Sequence, residues 1–202
     1  HHIKLGWDDW TVSFDRPGVE LDFGAVGKGV ALDSAAAALR QCGVLSGLIH
    51  GGTSSATAIG THGDSRGWRV AVADPYDPGR ALAETWLYDS SLGVSCNAGK
   101  TVVRNGEVVG HIIDPRTGRP AQGAVLAAVA ARDAAFCDAF STALVVLGEE
   151  GLEIPELCSG AVSCLVALRR GDGGLNIVTT GSYWQGESPG PLIPEQEGIS
   201  EP

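Results

Sequence analysis

Short apolar runs alternate with glycine-rich and polar breaks along most of the chain, and two stretches keep helical spacing over several turns. The stronger is Asp133-Ala-Ala-Phe-Cys-Asp138-Ala-Phe-Ser141-Thr142-Ala-Leu-Val-Val-Leu-Gly148, which predicts an amphipathic helix closed by a glycine. The other is alanine-rich and runs from the break Gly24-Ala-Val-Gly27-Lys28-Gly29 to about residue 41, with Gly43 as its C-terminal stop. Strands are predicted over 11–14 and 19–23 around an Asp15-Arg-Pro-Gly18 turn, then over 45–50, 56–60, 68–73, 83–88, 93–95 and 101–104. Asn105-Gly106 is a two-residue hairpin signal between Val102-Val103 and Val108-Val109. A strand over 125–131 precedes the main helix, a short helix near 152–157 follows it, and strands over 163–169 and 175–179 form a hairpin across Gly171-Asp-Gly-Gly174. This order lacks a regular βαβ alternation and predicts an α+β, mixed layered sheet-and-helix domain. Residues 1–184 read as one domain, and residues 185–202, rich in proline, glycine and acid, as a disordered tail.

Composition narrows the function. The 202 residues include 24 acidic against 14 basic side chains with no Lys/Arg cluster, so the electrostatic footprint of a nucleic-acid binder is missing. The five cysteines are odd in number and make no C-x-x-C pair, which disfavours both a disulfide framework and a zinc site. No apolar run is long enough for a membrane-spanning helix. The chain holds no methionine, even at position 1, and reads as a processed or truncated piece whose address signals are not visible.

Several segments concentrate chemistry. On a helix, Asp138 and Thr142 rise four residues apart from one face, and a carboxylate with a hydroxyl are hard oxygen donors of the kind Mg²⁺ accepts beside substrate phosphates. The competing reading has Thr142 bonding back to its own helix and Asp138 on a solvated polar face. Gly24-x-x-Gly27-x-Gly29 is neither a P-loop nor a dinucleotide fingerprint, yet a glycine turn before a helix can present backbone to an anion, and the Gly27 carbonyl is a candidate ligand; close strand-to-helix packing explains the glycines equally well. Gly51-Gly52-Thr53-Ser54-Ser55 offers bare backbone and hydroxyls after a strand, suited to a ribose, phosphate or flavin edge, or simply to a hinge. Gly63-Asp-Ser65-Arg-Gly67 matches the letters of a hydrolase nucleophile elbow, but a polar turn precedes it and a strand follows, the wrong surroundings. In His111-Ile-Ile-Asp114-Pro-Arg116-Thr-Gly118, Asp114 is a turn residue, and His111 is a candidate general base or a hydrogen-bonded structural histidine.

Taken together, residues 21–33, 49–55, 111–118 and 137–148 resemble the FAD:protein FMN transferase (ApbE) family, in the family's order and rough spacing. The resemblance covers about residues 10–180 and implies an ApbE-like layered fold whose N-terminal part this chain lacks. It implies a Mg²⁺-dependent transferase that cleaves the FAD pyrophosphate, passes FMN to a Thr or Ser hydroxyl of a target flavoprotein and releases AMP. Carried over by motif, Gly27, Asp138 and Thr142 are metal ligands, and His111 is the proton acceptor or a flavin contact, with Asp138 and His111 the catalytic pair. Lys28, Asp33, Gly51, Gly52 and Thr53 then line the FAD site. The chain has Ser95-Cys96-Asn97-Ala98-Gly99 where many members carry a Ser-Gly-Asp-Tyr-Glu-like run, and Thr53 where Asn or Asp is common. The implied partners are FAD and an acceptor flavoprotein, and a homodimer is compatible with the family. Bacterial members are often exported and membrane-anchored. Two other readings use the same residues: an FAD pyrophosphatase in which water replaces the acceptor hydroxyl, and a non-catalytic flavin-binding module.

Overall fold

The computed structural model describes residues 2–98, 101–104, 107–154, 157 and 161–185. Its centre is a six-stranded sheet built from β3 (Gly47–His50), β4 (Ser55–Ile59), β7 (Ser91–Cys96), β12 (Leu126–Ala131), β13 (Ser163–Arg169) and β14 (Leu175–Thr180). The strands lie in the order β14-β13-β12-β7-β4-β3, with every neighbour antiparallel. All-antiparallel pairing is the α+β arrangement that the sequence pattern predicts.

One face of this sheet carries α1 (Gly27–Gln41) and α2 (Ala134–Leu147); the other faces a smaller sheet of β5 (Trp68–Ala73), β6 (Ala81–Leu87) and β15 (Trp184–Gln185). The period-two alternation explains how one strand serves both faces. On β12, Ala127, Val129 and Ala131 pack with Cys137, Leu144 and Val145 on the helix side, while Leu126, Ala128 and Ala130 pack with Leu87, Val72 and Ala83 on the other. A strand buried on both faces reads as a continuous apolar run, and β12 is buried at every position.

Both helix ends follow their sequence signals. After α1, Gly43 takes φ 83°, with its N–H on Arg40 O and the Val44 N–H on Leu39 O, a Schellman closure. Gly148 closes α2 with φ 68° and is followed by a 3₁₀ turn over Gly148–Glu153, earlier than the short helix expected near 152–157.

The first hairpin differs from its prediction. β1 (Ile3–Gly6) pairs with β2 (Thr11–Phe14) across a turn at residues 7–10, and residues 19–23 form no strand. The Asp15-Arg-Pro-Gly18 turn signal is present, but the partner strand lies before β2, where a single lysine interrupts Ile3 and Leu5. β8 (Thr101–Arg104) and β9 (Glu107–Gly110) pair antiparallel as expected, their Asn105-Gly106 turn lying outside the described residues, and β10 (Ile113–Asp114) and β11 (Arg119–Pro120) bracket the following loop. Gln185, assigned by composition to the tail, instead pairs with Glu84, while residues 186–202 lie outside the described part. Among the described residues, no helix is long and apolar enough to cross a membrane.

Candidate active site

The seat of α2 is set by two glycines. A Cβ on Gly29 would stand 2.5 Å from the Ala135 Cα, and a Cβ on Gly93 would stand 2.5 Å from the Cys137 carbonyl carbon, so only glycine lets α1 and β7 approach the α2 backbone this closely. The consequence is chemical. With α1 this near, the Gly29 N–H donates to Asp138 Oδ2 at 2.8 Å; from β4, Ser55 Oγ donates to Asp138 Oδ1 at 2.7 Å. Lys28 Nζ lies 3.7 Å from the same carboxylate.

Asp138 is only 3% exposed, whereas the Lys28 side chain is 43% exposed. This buried carboxylate faces one backbone N–H, one hydroxyl and a half-exposed ammonium. Each of its oxygens has accepted one hydrogen bond and keeps a lone pair for a further donor or a cation. Thr142, one turn on, places Oγ1 within 2.9 Å of Ser95 Oγ and also bonds back to Asp138 O at 3.2 Å, as the competing sequence reading held. The donor set therefore fits a hard cation: a carboxylate with free lone pairs, and an alcohol on the next turn. Among the described residues, no group of three or more His, Cys, Asp or Glu side chains could hold a metal, so a cation here has to draw on hydroxyl and backbone oxygens.

The remaining predicted residues fall at varying distances from this centre. Gly51 sits against α1, its Cβ position 3.8 Å from Lys28 Cβ, and its N–H bonds Ser55 O, so the turn that begins at Gly51 starts beside Lys28. Gly52 takes φ 73°, a conformation that explains the glycine without invoking a ligand. Gly27 is the first residue of α1, with its N–H on Phe23 O at 2.7 Å; its carbonyl belongs to the helical ladder and is not the free loop carbonyl expected. One lone pair of that oxygen remains. Asp33 is already engaged with the start of α2. Its two oxygens accept from the Ala134 and Ala135 N–H groups at 2.8 and 2.9 Å, capping α2 from another helix, because Asp133 at the N-cap makes no side-chain bond of its own. Asp114 is a turn residue: it takes the Arg116 N–H and its guanidinium, which hold the Asp114 carboxyl below the usual carboxylate range. His111 is exposed on the loop after β9, whose Gly110 lies against the Asn97 side chain just beyond β7. The Ser65 hydroxyl is occupied with Gly67 O in a turn, as expected for a false elbow.

Sequence reasoning placed Ser55 only within a hydroxyl-bearing run and Gly29 within a packing or anion-binding turn, and it missed Ser95, Gly93 and the contacts all four make with α2. The signal was present in β7, where Ser91, Gly93 and Ser95 alternate with Leu92, Val94 and Cys96; the small and polar set faces α2, the apolar set the opposite core.

Under α2, burial pushes the Cys137 thiol up to about 12, and its hydrogen donates to Ser91 O. Because the unfolded thiol titrates near 9.0, this burial stabilises the fold below that pH, and the contribution is lost as pH rises from there toward about 12. Native protein treated with iodoacetamide at about pH 8 should carry label on exposed Cys42 and none on Cys137 until denatured. Peptide mass spectrometry reads this, and native labelling of Cys137 would contradict the packing.

The layered antiparallel domain thus places a buried acid and an alcohol on adjacent turns of α2, beside the glycine-rich start of α1. The chain belongs to the ApbE family, whose sequence pattern matches residues 1–166. It is 41% identical over 140 residues to the FAD:protein FMN transferase of Rhodobacter capsulatus, covering 69% of this chain and 26% of that protein. With the FAD:protein FMN transferase of Escherichia coli K12 it shares 33% over 138 residues, covering 67% and 39%. Its fold matches the crystal structure of the ApbE protein of Thermotoga maritima with a TM-score of 0.73 and 27% identity, over 87% of this chain and 56% of that one. The flavin transferase ApbE of Vibrio cholerae superposes with a TM-score of 0.72 and 26% identity, over 89% and 56%. The chain thus spans between a quarter and three fifths of the length of these relatives.

Proposed function

We propose that this chain carries the metal and pyrophosphate half of an FAD:protein FMN transferase, moving FMN from FAD to a Thr or Ser hydroxyl of a flavoprotein and releasing AMP. The observation that carries the reading is Asp138: a buried carboxylate whose oxygens each keep a lone pair, one helical turn before Thr142, within a family whose relatives bear that activity in their names. Asp138 and Thr142, with the remaining lone pair of the Gly27 carbonyl, would hold Mg²⁺. Bound there, the cation supplies neutralisation of the charge that builds on the pyrophosphate as AMP departs.

The chain's own residues do the rest. Lys28 leans from Asp138 into solvent, where its ammonium can meet an anionic ligand, and the Gly51-Gly52 backbone admits that ligand closely. The acceptor oxygen forms a bond to the FMN phosphorus, the bond from that phosphorus to the AMP oxygen breaks, and AMP leaves with the electron pair. His111 takes the acceptor's proton, since an alcohol is a weak nucleophile without a base.

Incubation with FAD, Mg²⁺ and a small acceptor domain bearing a target threonine tests the reading. Flavin fluorescence on the acceptor band, with AMP released, supports it. Free FMN and AMP with no labelled acceptor would replace it by hydrolysis, a reading favoured by the exposure of His111 to solvent. FAD bound but intact would leave a binding module. Replacing His111 by Gln should lower transfer by about 10²- to 10⁴-fold while leaving FAD binding within about twofold; unchanged transfer would remove the base assignment.

A further inference from the structure

We propose that Ser95, on β7, is a positioning residue that fixes the Thr142 hydroxyl for cation binding. The inference rests on the metal reading of Asp138 and Thr142 above.

The Ser95, Ser141 and Thr142 hydroxyls form a knot under α2. Ser95 Oγ lies 2.8 Å from Ser141 Oγ and 2.9 Å from Thr142 Oγ1, and both helix hydroxyls also reach Asp138 O, at 3.0 and 3.2 Å. These three side chains supply three protons for four contacts, so the proton arrangement is not fixed by the apo network alone. A threonine in a helix divides between two χ1 rotamers because its hydroxyl can bond back to the preceding turn. Ser95 approaches from the sheet, outside the helix, and stabilises one of them.

An occupied site fixes the Thr142 and Ser95 protons. A cation on Thr142 Oγ1 repels an O–H directed at it, so the Thr142 proton points to Asp138 O. The hydroxyl's second lone pair then takes the Ser95 proton, and the buried Ser141 donates to Ser95 or to Asp138 O. The Thr142 and Ser95 protons are placed, and the Thr142 oxygen faces the cation in a single rotamer. Ser95 reaches this position because Gly93, two residues earlier on the same face of β7, lets the strand lie against the α2 backbone.

A double-mutant cycle separates positioning from ordinary structural support. Mn²⁺ is titrated into the full chain with FAD present and the free ion is followed by EPR, for wild type, Ser95→Ala, Thr142→Val and the double variant. Ser95→Ala should weaken Mn²⁺ binding by about tenfold in the wild-type background. In the Thr142→Val background, the same change should alter binding less than about twofold, because the hydroxyl through which Ser95 acts is gone. Should Ser95→Ala prove unstable, Ser95→Cys, which keeps the size but donates weakly, runs the same cycle with a smaller effect of the same sign. An equal loss in both backgrounds, or no loss in either, overturns the positioning role while wild-type binding and FMN transfer leave the function standing. Wild type that binds no Mn²⁺ and transfers no FMN removes the metal reading, and this inference with it.

Discussion

Asp138→Asn is expected to abolish Mg²⁺-dependent flavin transfer while leaving the protein folded, and Asp138→Ala to abolish both transfer and part of the stability. The difference follows from the two donors on the carboxylate. Asparagine can keep its carbonyl oxygen toward the Gly29 N–H, which cannot turn away, and set its amide toward Ser55 Oγ, which can rotate to accept. The site stays hydrogen-bonded but loses the charge that faces Lys28 and the proposed cation. Loss of one preorganised electrostatic group typically lowers turnover by about 10²- to 10³-fold, and loss of a ligand that also anchors the metal belongs at or beyond the upper end. Alanine instead strands the Gly29 N–H and the Ser55 hydroxyl in a buried site, at a cost of about 1–3 kcal/mol for each unsatisfied group. Parallel thermal melts and transfer assays read the pair. Near-wild-type transfer by Asp138→Asn would mean that the carboxylate serves only to join α2 to α1 and β4.

The second large effect is expected at Gly29. An added methyl would meet the Ala134 carbonyl carbon and the Ala135 Cα at 2.5 Å, and both are backbone atoms that cannot swing aside. The helices must separate, and forced overpacking of this kind costs about 1–3 kcal/mol, occasionally more. For a domain of this size, about 3 kcal/mol corresponds to a melting temperature lower by roughly 6–12 °C. Separation also lengthens the Gly29 N–H contact to Asp138, so Gly29→Ala should lose transfer more steeply than stability alone predicts. Gly171→Ala is the matched control: its Cβ would meet nothing within 4 Å, and its melting temperature should stay near that of wild type. Equal melting temperatures for the two variants would refute the close helix approach.

These two sites show which parts of the molecule local sequence pattern could reveal. α2, its Gly148 stop, the Schellman end of α1 and the antiparallel hairpins each depend on neighbours a few residues apart, and periodicity with turn chemistry is a record of such neighbours. Asp138 and Thr142 were legible for the same reason, since their spacing alone puts them on one helical face. The partners that complete the centre come from far along the chain: Gly29 is 109 residues from Asp138, Ser55 is 83, and Ser95 is 47 from Thr142. No window of sequence holds such pairs. The cap that Asp33 makes on α2 was not legible, because a motif position carries no statement of what the side chain touches, and the unsatisfied start of α2 claims both of its oxygens. The strand expected over 19–23 failed in a different way. Its alternation is acceptable, but β2 already has a partner in β1.

Crystals of the chain soaked with FAD and Mn²⁺, measured at a wavelength where manganese scatters anomalously, test the account at its centre. It predicts one anomalous peak at roughly 2.0–2.3 Å from an Asp138 carboxylate oxygen and the Thr142 hydroxyl, beside the FAD pyrophosphate. A peak bound elsewhere on the flavin, with Asp138 still held only by Gly29, Ser55 and Lys28, would contradict it.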